Sequence, residues 1–213
     1  MIPDLFEREH PDERLAPGAV VLRELAAPLG GRLVAALEQV VQRSPFRHML
    51  TPGGHRMSVA MTNCGALGWI SDRAGYRYDG HDPDSGRPWA PMPAVFADLA
   101  SHAAARAGFD GFSPDACLIN RYAPGTRLSL HQDKDERDVE APIVSVSLGL
   151  PAVFLFGGLR RADSSLRIPL THGDVVVWGG PARLRYHGVL PLGHGQHPLI
   201  GGYRINLTFR KAA

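Results

Sequence analysis

Apolar residues recur at helical spacing in the first half of the chain and alternate with polar ones in the second. Leu33, Ala36, Leu37, Val40 and Val41 fall on one side of a helix predicted over residues 28–41, which Ser44-Pro45 stops. A second helix is predicted over 93–107, with Val95, Phe96, Leu99, Ala103 and Ala107 on roughly one side and Gly108 at its end. A short strand at 19–22 precedes the first helix, and the polar, proline-containing residues 1–17 are expected to drape over the fold. Between the helices the pattern mixes. Thr51-Pro52-Gly53-Gly54 is a turn, 57–62 alternates like a strand, Trp69, Tyr76 and Tyr78 sit in a glycine-punctuated segment, and 79–93 is a Pro-, Gly- and Asp-rich loop. Such a hairpin or loop can cover a site and stack on a flat substrate, or it can be a satellite cluster that holds a long loop.

After Pro114 the period is two. Strands are predicted at 117–122, 143–148, 152–156, 175–178 and 204–209, broken by Gly- and Pro-bearing turns such as Gly149-Leu150-Pro151 and Gly179-Gly180-Pro181. Several short strands at near-regular spacing indicate a sandwich, barrel or jelly roll. The expected fold is therefore mainly β with flanking helices, in the α+β class. At 213 residues the chain suits one domain with a sizeable core.

A content of 44% hydrophobic and 21% charged residues excludes a disordered chain. The formal charge of +2 neither demands nor excludes nucleic acid, although Arg160-Arg161 and Arg183 with Arg185 offer local basic patches. Cys64 and Cys117 lack zinc spacing and read as reduced, buried thiols. There is no basic-then-apolar leader and no apolar run of about 18 residues, so the cytoplasm is the expected compartment.

Candidate chemistry centres on Leu128-Ser129-Leu130-His131-Gln132-Asp133-Lys134-Asp135. In a strand, residues two apart share a face, so His131 and Asp133 can converge. With His187 from a distant strand they would form the two-histidine, one-carboxylate set of non-haem Fe(II) oxygenases. A zinc site, a catalytic histidine–aspartate pair or unconnected structural residues use the same spacing. In the last strand Arg204, Asn206 and Thr208 alternate with Ile205, Leu207 and Phe209, and Arg210 follows. Its polar face would suit an anionic ligand, since guanidinium forks match carboxylates; the other reading is an edge strand with a solvated face. Asn120 and Tyr122 share a strand face and offer an amide and a phenol to the same acid. Lys134, Asp135 and Glu136 read as a charged turn, solvated except that Asp135, beside the metal, could accept a bond from the amino group of a base. Arg161, in an exposed turn, could touch phosphate or base.

Together these motifs resemble the AlkB family of Fe(II)- and 2-oxoglutarate-dependent dioxygenases, and the bacterial DNA-repair type most. The likeness runs through Ser44-Pro45-Phe46-Arg47, Thr51-Pro52-Gly53-Gly54, the 57–65 and 114–125 segments, the His131-Gln132-Asp133-Lys134-Asp135 block, 173–180 and the RxNxTxR strand at 204–210. It implies a double-stranded β-helix core and one dioxygenase domain over 1–213: a supporting strand and helix at 1–44, a nucleotide-recognition lid at 45–92, and a supporting helix with the catalytic core at 93–213. It implies Fe(II) at His131, Asp133 and His187. Arg204, Asn206 and Tyr122 would hold the distal carboxylate of 2-oxoglutarate, with Arg210 and Asn120 near its metal-bound end. Trp69, Tyr76 and His131 would surround a flipped base, Asp135 would bond it and Arg161 would contact the substrate. The implied reaction uses O2 and 2-oxoglutarate to demethylate bases such as N1-methyladenine and N3-methylcytosine in DNA, single-stranded in preference, with RNA as a further substrate. A monomer without membrane attachment is expected. The competing readings are a tRNA or protein demethylase or hydroxylase of the same chemistry, and a non-catalytic β-sandwich that binds damaged nucleic acid.

Overall fold

The computed structural model describes residues 12–213. In chain order the elements are β1 (Glu13–Ala16), β2 (Ala19–Leu22), α1 (Gly30–Arg43), β3 (Ala60–Gly65), β4 (Gly68–Asp72), β5 (Gly75–Asp79), α2 (Ala94–Arg106), β6 (Ala116–Tyr122), β7 (Leu128–His131), β8 (Ile143–Gly149), β9 (Ala152–Phe156), β10 (Leu166–Leu170), β11 (Val175–Trp178), β12 (His187–Val189) and β13 (Arg204–Arg210). Of the segment expected to drape over the fold, 1–11 lie outside the described residues, and the rest begins a β1–β2 hairpin instead.

A seven-stranded sheet, ordered β1-β2-β11-β8-β13-β6-β3, faces a four-stranded sheet ordered β10-β9-β12-β7, and β4–β5 forms a separate hairpin. This is the jelly-roll arrangement of a mainly β protein. Alternation along the central strands divides the core. Cys117 and Ile119 of β6, Val144 and Val146 of β8, and Leu207 and Phe209 of β13 pack with Leu33, Leu37 and Val40 of α1 and Phe96, Leu99 and Ala103 of α2. The residues between them point the other way, where Leu118 and Tyr122 meet Phe154, Phe156, Val176, Trp178 and Val189 in the space between the sheets. Each buried large apolar side chain contributes about 1.5–3 kcal/mol, so the helices anchor one face of the large sheet while polar residues are free to line its other face.

Several boundaries differ from the periodicity. β3 begins at Ala60 rather than at residue 57, because Met57 gives its amide to the Met49 carbonyl at 2.9 Å. β10 is an added strand that the pattern hides, since Pro169 interrupts it; it lies at a sheet edge, where proline costs no ladder bond. β13 is not an edge strand with a solvated face: it lies between β8 and β6 and is buried throughout. Cys64 and Cys117 are buried free thiols, as expected. Among the described residues no helix is long and apolar enough to cross a membrane.

Candidate active site

His131 ends β7, His187 opens β12, and the two strands pair so that these residues face each other. Their ring centroids lie 4.3 Å apart. The register slips between His187 and Val189, and a Cβ on Gly188 would lie 2.7 Å from the Leu128 carbonyl oxygen. Glycine at this position therefore lets β12 come close enough to β7 to bring the imidazoles together. Asp133 lies beyond the end of β7, so the irregular segment that follows, rather than a shared strand face, brings it in. Its Oδ1 is 3.6 Å from His131 Nε2 and its Oδ2 is 3.8 Å from His187 Nε2.

The remaining ring nitrogens face backbone carbonyls. Nδ1 of His131 donates to Ser129 at 2.9 Å and Nδ1 of His187 donates to Arg185 at 3.0 Å. These bonds fix the tautomer that leaves both Nε2 lone pairs pointing at the shared space. Burial, with His131 beside it, pushes the His187 imidazole down to about 4 against the pull of Asp133. Burial would raise the Asp133 carboxyl, but Arg210, His187 and His131 outweigh it and hold it well below the usual carboxylate range. The site thus brings two imidazoles and one carboxylate together, with donor atoms within 4.8 Å of one another.

β13 carries the anionic-ligand end. Arg204 is 1% exposed, with its guanidinium 5.3 Å from the Tyr122 ring centroid and Nη2 donating to Ser147 Oγ at 2.9 Å. Its Nε and Nη1 are buried without a partner, as is Asn120 Oδ1. Burial lowers the Arg204 guanidinium against the opposing pull of Tyr122, and pushes the Tyr122 phenol up to about 12. Asn206 is already occupied: its amide donates to Ser145 Oγ at 2.8 Å and the Val146 carbonyl at 3.0 Å, and its oxygen accepts from Thr208 at 2.9 Å. The buried donors left open at this end include Nε and Nη1 of Arg204. Arg210 turns toward the metal-ligand set instead, its Nε and Nη2 donating to Asp133 Oδ2 at 2.9 and 2.5 Å.

At the mouth, Trp69 and Tyr76 of the β4–β5 hairpin stack with centroids 5.6 Å apart. Trp69 Nε1 donates to Asp135 Oδ2 at 2.9 Å, so this carboxylate lies against the aromatic pair. Arg161 sits over Tyr186, 5.3 Å from its centroid. Every side chain singled out from the sequence for metal, cosubstrate or substrate lines one cavity of about 520 Å³. The turn reading fails at Glu136, which is buried: it receives Arg183, Arg210 and Tyr78. Charge in a loop-like stretch gives no hint of burial when the partners come from segments 47 and 58 residues away. Ser145 and Ser147 were also missed, although their alternation with Val144, Val146 and Leu148 marks a polar strand face.

The chain from residue 18 to 210 matches the model of the 2OG-Fe(II) oxygenase superfamily. It is 61% identical over 211 residues to the alpha-ketoglutarate-dependent dioxygenase AlkB of Salmonella typhimurium, covering 99% of this chain and 98% of that protein. The Escherichia coli AlkB is 59% identical over 210 residues, covering 98% and 97%. The chain belongs to the AlkB family. A solved structure described as OsALKBH1 superposes with a TM-score of 0.82 at 28% identity, covering 94% of this chain and all of that one.

An AlkB enzyme works with Fe(II), 2-oxoglutarate and O2, and the residues here fit them. Two imidazoles and one carboxylate are the donor set of non-haem iron with open positions. The unpartnered Nε and Nη1 of Arg204 are donors that a buried carboxylate would satisfy. As an AlkB dioxygenase the chain could hold iron at His131, Asp133 and His187, and the cosubstrate between that set and Arg204.

Proposed function

We propose that this AlkB enzyme repairs N-alkylated bases such as N1-methyladenine and N3-methylcytosine in DNA, preferring single strands and acting on RNA as well, as a cytoplasmic monomer. In this reading residues 45–92 form the nucleotide-recognition lid, with 1–44 as support and 93–213 as the catalytic core. The observation that carries it is the placement of a stacked aromatic pair, half-buried Trp69 with exposed Tyr76, and the carboxylate of Asp135 at the mouth of the cavity that holds the His131, Asp133 and His187 set. With Fe(II), 2-oxoglutarate and O2 bound, the cofactor system supplies oxidation of the N-methyl carbon, yielding succinate, CO2 and formaldehyde.

The chain's own residues bind and orient. Methylation at N1 of adenine or N3 of cytosine places a positive charge on the base and blocks its pairing edge, which lowers the cost of extrusion. Aromatic faces and a carboxylate both favour a cation, so Trp69, Tyr76 and Asp135 select the charged lesion over the neutral base. His131, the half-exposed member of the metal set, sets how closely the methyl group approaches. Arg161 contacts the strand backbone, where a local basic strip suffices.

The test loads the protein anaerobically with Fe(II) and 2-oxoglutarate, adds oxygen and a single-stranded oligonucleotide with one N1-methyladenine, and reads loss of one methylene by mass. Formaldehyde released from methylated protein but not from methylated DNA or RNA would reject the reading.

A further inference from the structure

The β4–β5 hairpin is fastened to the metal-ligand turn at two neighbouring points. Trp69 and Tyr78 are cross-strand partners, so their side chains leave the same face of the hairpin. Trp69 Nε1 reaches Asp135 Oδ2 at 2.9 Å, and the Tyr78 hydroxyl donates to Glu136 Oε1 at 2.6 Å. Asp135 is exposed, where water competes for the bond, whereas Glu136 is buried.

Glu136 is a hub. Its Oε1 also lies 3.2 Å from Arg210 Nε as an ion pair, and its Oε2 accepts Arg183 Nη2 at 3.0 Å. Arg183 donates in addition to the Asp133 carbonyl at 2.7 Å and the Ala141 carbonyl at 3.0 Å. Arg210 holds the Asp133 carboxylate. One buried carboxylate therefore joins the hairpin, the turn bearing Asp133, the segment entering His187 and the end of β13. Two carboxylates face two guanidiniums, so the cluster is closed in charge, and a buried network of this kind is rigid only while every member is satisfied. Burial pushes the Tyr78 hydroxyl far above the ordinary phenol range, against Arg210, which keeps it a donor. Tyr78 itself does not line the cavity.

We propose that Tyr78, acting through Glu136, is a positioning residue that holds Trp69 and Tyr76 in register with the metal ligand Asp133. The inference rests on the base-repair reading for its substrate, and the hydroxyl touches neither metal nor base. A base gripped by a hairpin that has lost this strut would be held loosely above the methyl-oxidising centre.

Tyr78→Phe removes one oxygen and keeps the ring. The Fe(II)–2-oxoglutarate charge-transfer absorbance of the variant should titrate within about twofold of wild type, while KM for the methylated oligonucleotide rises about tenfold, the scale of one hydrogen bond to a charged group. Succinate formed per formaldehyde released should rise, because cosubstrate is consumed without a well-placed methyl group. Unchanged KM and an unchanged succinate-to-formaldehyde ratio overturn the proposal, and so does a parallel loss of charge-transfer binding, which marks Tyr78 as general scaffold. Should the variant not fold, hydrogen exchange of the wild-type protein decides: Mn(II) with 2-oxoglutarate should slow exchange in residues 69–78, and no change there overturns the coupling. Wild-type protein that releases no formaldehyde from the oligonucleotide rejects the base-repair reading, and the exchange measurement still tests the strut.

Discussion

Replacing Arg204 by methionine should make the metal-free protein more stable and remove its stabilisation by 2-oxoglutarate. The side chain is 1% exposed, and its Nε and Nη1 find no partner. Each unmade buried bond costs about 1–3 kcal/mol. Against this stand the Ser147 bond, about 1.5 kcal/mol at the low end for a charged donor, and the position over Tyr122, about 0.5–2 kcal/mol. Methionine keeps most of the volume without charge, so a net gain of about 1–3 kcal/mol is expected, in the range seen when buried charges give way to apolar side chains. For a chain of this size each kcal/mol moves Tm by about 2–4 °C, so the metal-free variant should melt about 2–12 °C higher. Mn(II) with 2-oxoglutarate at about a hundred times Kd stabilises wild type by about 2.7 kcal/mol, and the variant should gain little from the cosubstrate. Differential scanning calorimetry of both proteins, metal-free and loaded, reads all four states. A metal-free variant that melts lower than wild type would show that Arg204 is already paired within the protein. An undiminished response to 2-oxoglutarate would place the distal carboxylate elsewhere.

Gly188→Ala puts a Cβ 2.7 Å from the Leu128 carbonyl oxygen and 3.2 Å from the Leu130 amide nitrogen, forcing β12 off β7. It should cost about 1–3 kcal/mol and weaken Mn(II) binding in a calorimetric titration; wild-type affinity would contradict the close-approach account. Asp133→Ala should lose iron and turnover together and leave Arg210 with Glu136 alone, a broken buried pair of about 3–5 kcal/mol; retained activity would remove Asp133 from the site. His187 is lowered from 6.5 to about 4 on folding, so between these values the unfolded chain binds the extra proton. Stability of the metal-free protein from this group is complete above 6.5 and is lost as pH falls toward 4, by up to about 3 kcal/mol. Urea midpoints at pH 7.5 and 5 should differ accordingly, and His187→Gln should flatten the slope.

What the periodicity could and could not reveal follows from how local each signal is. β13 was legible because Arg204, Asn206 and Thr208 alternate with Ile205, Leu207 and Phe209, and a central strand between two packed faces keeps that period. The helices were legible within two residues because their apolar stripes match the core that covers the sheet. β12 is three residues long and contains Gly188, so no period can be read from it, and β10 is disguised by Pro169. His131 and Asp133 converge as expected, but through the irregular segment after β7, because the strand ends at His131. The burial of Glu136 was invisible for a different reason: its partners Tyr78, Arg183 and Arg210 belong to three other segments, and only the assembled sheets place them around one carboxylate.

The buried charges sort along the depth of the cavity, and that ordering accounts for two ligands of opposite charge in one space. Asp133 and Glu136 are matched by Arg210 and Arg183, leaving no excess at the metal-ligand turn. The charge left open at depth is Arg204, which draws an anion. At the mouth the exposed carboxylate is Asp135, against Trp69, and it draws a cation. In the proposed reading an anion bound at Arg204 would have to pass the mouth before a base stacked on Trp69 and Tyr76 covered it, so the cavity would fill from the cosubstrate end outward. The Trp69–Asp135 bond occupies the carboxylate meanwhile, and in that reading its release to a cationic base would exchange one donor for another without leaving Asp135 bare.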